Sequence, residues 1–385
     1  MRRVILYEYD KRNREIILKR LIDDNYEFLP VFINDLQTVA DRIQKDAEGY
    51  IFDVTSVFIS EERSFLYASV IEKLIDCVQD DWPVYFIIDK RYSYGFTEML
   101  FYRLENIESF EEKVGLKMPC NNDIVSLDEK EFENLLNVIQ NELIGHEKFK
   151  QLLGRELRRY RVFNKLGYQP IFSIFLLGNS GIGKTEVARI IARTLSPEEP
   201  FIKINFGNYS AHNALSSLIG SPRGYIGSSR GELSEKLSNS RSKVILIDEF
   251  EKCDKQVQNF FLQLLEDGVF TDSLGRDYNL DKYIIVFTSN LSKTKVATHI
   301  SPELWSRFNM PYSFTVLQDE EKKEYIEKRT FKIISDIKEK LNINVSEEKI
   351  SEIKNINTKK YSNMRDINAE LMKKISSIIY PELYN

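Results

Sequence analysis

The stretch Gly178-Asn179-Ser180-Gly181-Ile182-Gly183-Lys184-Thr185 restricts this chain more than any other. It follows an apolar run, Ile171–Leu177, that suits a buried strand, and it opens a segment of helical character. Strand, glycine loop and helix in that order make a phosphate cradle. The glycines let backbone N–H groups close around the anion, and the helix N-terminus adds partial positive charge. Lys184 is then expected to reach the terminal phosphates, and the Thr185 hydroxyl to hold Mg²⁺.

Two further strands carry the chemistry such a cradle needs. Val244–Ile247 is uniformly apolar and is followed by Asp248 and Glu249. Carboxylates at the C-terminal end of a buried strand stand where open α/β sheets gather their ligands. Asp248 is expected to bind Mg²⁺ through water, and Glu249 to polarise the attacking water as general base. Ile284–Ser289 ends at Asn290, whose amide both donates and accepts and so suits a role in orienting the lytic water. The expected cofactors are ATP and Mg²⁺.

At 385 residues the chain exceeds what one core usually holds, so two or three domains are expected. Short apolar runs at Val4–Tyr7, Phe28–Ile33, Tyr50–Asp53 and Val84–Ile88 alternate with amphipathic segments at Asn13–Ile22, Leu36–Gln44 and Phe65–Val78. That alternation predicts a small parallel-sheet α/β domain over residues 1–123. A second α/β block spans 124–318, and the pattern turns wholly helical over 319–385. Charge balances at −5, so nucleic acid is not an expected partner. Three scattered cysteines and three histidines give no zinc spacing. The short apolar run behind Met1 is followed at once by acidic residues, which argues against a signal peptide, and no apolar stretch predicts a membrane span. A cytoplasmic location is expected.

With those residues read, the region from about 141 to 375 resembles the AAA+ module of Clp-family unfoldases and disaggregases, in its second nucleotide-binding-domain form. Leu143-Ile144-Gly145-His146 resembles the segment that packs against adenine, which places Ile144 and Gly145 at the cofactor. Phe250–Cys253 and Phe261–Arg276 resemble the family's continuation after Asp-Glu. Pro302–Phe308 resembles the block holding the arginine finger, so Arg307 is expected to reach the γ-phosphate of a neighbouring subunit in a ring. Asn363–Ile367 resembles the lid motif whose arginine, here Arg365, touches the nucleotide of its own subunit. Ser221–Gly227 resembles the pore loop, with Tyr225 and Ile226 gripping a polypeptide substrate. The resemblance implies a homo-hexamer that threads protein through its pore. No Ile-Gly-Phe or Ile-Gly-Leu loop stands between Asn290 and Pro302, so no Clp-type peptidase partner is expected. The sequence ends soon after Arg365, which predicts a shortened lid.

The first domain resembles a response-regulator receiver of flavodoxin-like fold: Glu8 and Asp10 follow the first strand, and Asp53 ends the third. The fourth run ends in Ile88-Asp89 rather than Ser or Thr, so Asp53 is not expected to be phosphorylated, and the domain reads as a docking site for a substrate or adaptor. Receiver plus AAA+ is also the plan of enhancer-binding activators, but Gly-Tyr-Ile-Gly stands where those carry a GAFTGA-type loop. A nucleotide-gated scaffold whose output is assembly state is the alternative reading, with a clamp-loader role below it.

Overall fold

The computed structural model describes residues 2–30, 49–59, 61–77, 84–116, 123–209, 214–221 and 231–384. Two compact units divide the chain, Met1–Cys120 and Asn121–Asn385. Among the described residues no helix is long and apolar enough to cross a membrane.

The first unit is built on five strands: β1 (Val4–Tyr9), β2 (Tyr26–Pro30), β3 (Gly49–Asp53), β4 (Val84–Asp89) and β5 (Leu104–Ser109). Successive side chains on a strand point to opposite faces. Phe52, Phe86 and Ile88 therefore join Ile71, Leu74, Phe96 and Leu100 on one side. Ile51 and Ile87 join Ile17, Leu18, Leu21 and Phe110 on the other. Burial on both faces is why β1, β3 and β4 read as largely apolar runs. The part of the expected second strand beyond Pro30, and the expected helix Leu36–Gln44, lie outside the described residues.

The sheet corrects the receiver expectation. Every neighbouring pair is parallel, and the order is β2-β3-β4-β1-β5. A flavodoxin-like sheet runs 2-1-3-4-5, with the first strand beside the second; here β1 lies between β4 and β5. Alternating apolar and amphipathic segments dictate a parallel sheet, but they do not say which strands are neighbours. Asp53 does end β3, yet its carboxylate is buried, accepts the Tyr9 hydroxyl at 3.1 Å and is ion-paired to Arg14 at 2.9 Å.

In the second unit the strands are β6 (Phe172–Leu177), β7 (Ile202–Asn205), β8 (Val244–Asp248), β9 (Val269–Thr271), β10 (Asp277–Asn279), β11 (Ile284–Ser289) and β12 (Met310–Ser313). The main sheet is parallel throughout, ordered β12-β6-β11-β8-β7, and β9 with β10 forms a separate antiparallel hairpin. One face packs on the helices Glu129–Glu142, Glu147–Lys165 and Lys184–Leu195, and the other on Lys255–Asp267 and Pro302–Arg307. The helix Glu129–Glu142 starts on a reciprocal capping box between Asp128 and Glu131. The remaining helices Asp319–Leu341, Glu347–Lys354 and Met364–Tyr384 enclose a small core of their own, including Ile326, Ile353, Ile367 and Leu371.

Candidate nucleotide site

Beyond Leu177 the backbone makes a loop that only glycine can follow at its first position. Gly178 has φ of 128°, and a Cβ there would lie 2.7 Å from the carbonyl oxygen of Phe314. Gly183, at φ of 101°, hands the chain to the helix Lys184–Leu195. Lys184 turns back beneath the loop, and its Nζ donates to Gly178 O at 2.5 Å, Asn179 O at 2.7 Å and Asn290 Oδ1 at 3.1 Å. Burial lowers its pKa to about 8. An ammonium held by carbonyl oxygens in this setting is poised to exchange them for a phosphate.

At the end of β8 the Asp248 carboxylate accepts the Thr288 hydroxyl at 2.5 Å and pairs with Lys203 at 2.7 Å. Burial pushes this carboxyl up, but the contacts from Lys203 and Thr288 outweigh burial and leave it below its ordinary value. Glu249 follows in the left-handed region, φ of 56°, a conformation that costs a non-glycine residue about 1–3 kcal/mol and recurs at active sites. Its carboxylate is paired to Lys252 at 2.6 Å. Asn290 stands one residue past β11, its backbone N–H donating to Glu251 Oε1 at 3.2 Å.

A cavity of about 600 Å³ opens beside the loop, and it is lined by Leu143, Ile144, Gly181, Ile182, Gly183 and Thr185 on one side. The C-terminal helices supply Tyr325, Arg365 and Asn368 opposite. Leu143 and Ile144 offer an apolar wall for a base. The backbone N–H of Met364 donates to Gly181 O at 2.9 Å and so ties that helical layer to the loop. His146 braces the loop from behind: its Nε2 meets Ile182 O at 2.9 Å and its ring stacks on Phe314 at 4.0 Å. Burial lowers the His146 pKa, which favours the neutral ring. The donor set fits Mg²⁺ and a nucleotide: a glycine cradle shaped for a phosphate, a lysine beneath it, and hard oxygens from Thr185 and Asp248.

The structure places Lys184 at the start of its helix, Asp248 and Glu249 at the end of β8 and Asn290 just past β11, with Arg365 in the cavity wall. Asn179 and Ser180 lie exposed on the loop. Arg307 does not line this cavity; it is partly exposed at the end of its helix, paired to Glu266 at 2.9 Å. Tyr225 and Ile226 fall outside the described residues. Sequence reasoning missed Lys203 and the cations Arg189, Arg193, Lys328, Arg329 and Lys332 that also line the cavity. The spacing of 328, 329 and 332 along one helix was the available signal, since such residues share a face.

The sequence pattern of the AAA domain (Cdc48 subfamily) matches residues 169–385. The chain belongs to this family. Within it the AAA domain here is of the Clp type. It is 37% identical over 165 residues to the negative regulator of genetic competence ClpC/MecB of Bacillus subtilis, covering 42% of this chain and 20% of that protein. It is 29% identical to the chaperone protein ClpB of Oceanobacillus iheyensis, over 68% of this chain and 36% of that one. The chain therefore spans about a fifth to a third of the length of these relatives. A cryo-EM reconstruction of Hsp104 with ATPγS and FITC casein in its closed state shares the fold, with a TM-score of 0.54 and 16% identity, over 99% of this chain and 88% of that chain.

Proposed function

We propose that this AAA+ ATPase hydrolyses ATP with Mg²⁺ to remodel or unfold polypeptides, as a ring of six copies that threads protein past Tyr225 and Ile226. The observation that carries the reading is the convergence of Lys184, Asp248, Glu249 and Asn290 on one sheet edge beside a cavity closed by Arg365. Mg²⁺ would be held by Thr185 and Asp248, and would supply charge neutralisation at the phosphates. The side chains divide the remaining work. Lys184 holds the terminal phosphates, and Asn290 orients a water toward them. Glu249 takes that water's proton on its carboxylate, which requires releasing Lys252. Leu143, Ile144 and Gly145 hold the base, and Arg365 senses the phosphates from the C-terminal helices.

Arg307 completes the site in trans. Its exposure away from its own cavity favours that role, since a cation needed in cis would line the cavity. The domain division proposed is 1–123, 124–318 for the ATPase core and 319–385 for the lid, with the first domain docking a substrate or adaptor. The relatives, a chaperone protein ClpB and an Hsp104 reconstructed with casein, favour protein as substrate over nucleic acid. We also propose no Clp-type peptidase partner and a cytoplasmic location. The test is ATPase rate with and without an unfolded model protein. Stimulation in the wild type that disappears in Tyr225→Ala, while basal hydrolysis persists, supports threading. If neither responds, a nucleotide-gated scaffold replaces the motor.

A further inference from the structure

The two sheets share one strand order. Pairing β1 with β6, β2 with β7, β3 with β8, β4 with β11 and β5 with β12 converts β2-β3-β4-β1-β5 into β7-β8-β11-β6-β12, the order of the ATPase sheet. All four strand contacts correspond, and all are parallel in both units. Functional positions correspond as well. Asp53 ends the third strand as Asp248 does, and Arg14 opens the helix after the first strand as Lys184 does.

What differs is what fills the strand ends. The connection between first strand and helix is Asp10–Asn13, without a glycine, in place of Gly178–Gly183. The N–H of Asp10 and the side-chain amide of Asn13 both donate to Glu111 Oε1, at 2.8 and 3.0 Å. Glu111 is buried, so a carboxylate of the chain itself occupies the anion's place. Arg14 does not wait for a phosphate: its guanidinium binds Asp53 at 2.9 Å. Arg12 grips Asp10 with two bonds of 2.8 Å, and Lys90 reaches it at 3.0 Å. Arg91 closes on Asp89, at the end of the fourth strand. The residue after Asp53 is Val54, so no counterpart of Glu249 exists.

We propose that the N-terminal unit is a nucleotide-independent counterpart of the ATPase sheet, in which Glu111 stands in for the phosphate and the Arg14–Asp53 pair replaces the lysine–nucleotide–Mg²⁺ connection. It is a fixed fold in a chain whose other unit takes the nucleotide. The inference uses the nucleotide reading of the second unit but not polypeptide threading.

Binding stoichiometry of a fluorescent ADP analogue with Mg²⁺ on the full chain tests it, together with hydrogen exchange. We expect one nucleotide per chain, and none in Lys184→Ala. Nucleotide should slow exchange at least tenfold in Gly178–Leu195 and leave β1, β3, β4 and β5 unchanged. Arg14→Met should speed exchange in β3 and in the helix Arg14–Asp23 at least tenfold while keeping one nucleotide per chain. If that variant fails to fold, Glu111→Gln should speed exchange at Asp10–Asn13 and at the start of the helix Arg14–Asp23 while keeping one nucleotide per chain. Two nucleotides per chain, a site surviving Lys184→Ala, or protection of the loop after β1 by nucleotide would overturn the proposal. Binding of no nucleotide by the wild type would instead defeat the reading of the second unit; unchanged exchange in Arg14→Met would then still overturn the network.

Discussion

Gly178→Ala is the most quantitative probe of the loop. The native φ of 128° lies where an L side chain is strained, which costs about 1–3 kcal/mol. The new Cβ would also stand 2.7 Å from Phe314 O and 2.8 Å from Ile182 Cδ1. Phe314 cannot easily retreat, because its own N–H is bonded to Leu177 O at 2.9 Å and β12 pairs with β6. Overpacking of this kind typically costs about 1–3 kcal/mol more. The loop is the softer partner, so most of the strain should be relieved by its moving out of the phosphate-binding shape. A loss of about 2 kcal/mol in binding corresponds to roughly thirtyfold weaker nucleotide affinity. The assay is titration with a fluorescent ADP analogue, with circular dichroism to confirm that the unit stays folded. Affinity within twofold of wild type in a folded variant would refute the argument that this glycine is fixed by shape.

Other outcomes follow from the same geometry. Glu249→Gln should reduce turnover by at least a hundredfold while ATP still binds, checked by phosphate release and by equilibrium binding. Arg307→Ala should abolish hydrolysis yet leave thermal stability nearly unchanged, because its exposed pair with Glu266 contributes well under 1 kcal/mol; restored hydrolysis when it is mixed with Glu249→Gln would confirm a shared site. Lys184 has its pKa lowered from 10.5 to about 8, so between those values the unfolded chain holds more protons and the apo second unit should gain stability as pH rises. Nucleotide binding should correspondingly take up a proton above pH 8, read by calorimetry in buffers of different ionisation heat. Asp10 has the opposite sense: burial raises its carboxyl, but Arg12 and Lys90 outweigh burial and depress it. Its contribution is present above the ordinary carboxylate range and is lost as pH falls below about 4, visible as early acid loosening of β1.

The candidate nucleotide site is legible in the sequence because its residues sit at fixed offsets within continuous segments: a glycine loop between strand and helix, and polar residues one step beyond apolar runs. What the sequence could not convey was adjacency. β5 reads Leu-Glu-Asn-Ile-Glu-Ser at the edge of its sheet, with none of its residues fully buried, so no apolar run announces it. β12 is four residues with Pro311 inside, tolerable only at an edge. Without β5 the order of the first sheet cannot be drawn from sequence, and its strand-end acids resemble those of a receiver. Lys203 was invisible for the same reason, since its meeting with Asp248 depends on the register that sets Asn205 opposite Asp248.

The most direct test of the central claim is loss of native fluorescence from a stable reporter protein carrying an unstructured tail, followed with ATP and with a non-hydrolysable analogue. The account predicts that fluorescence falls only with hydrolysable ATP and only in wild type, with Glu249→Gln and Tyr225→Ala both inert. If the wild type hydrolyses ATP steadily and the reporter stays folded, polypeptide unfolding is contradicted and the ATPase drives assembly instead.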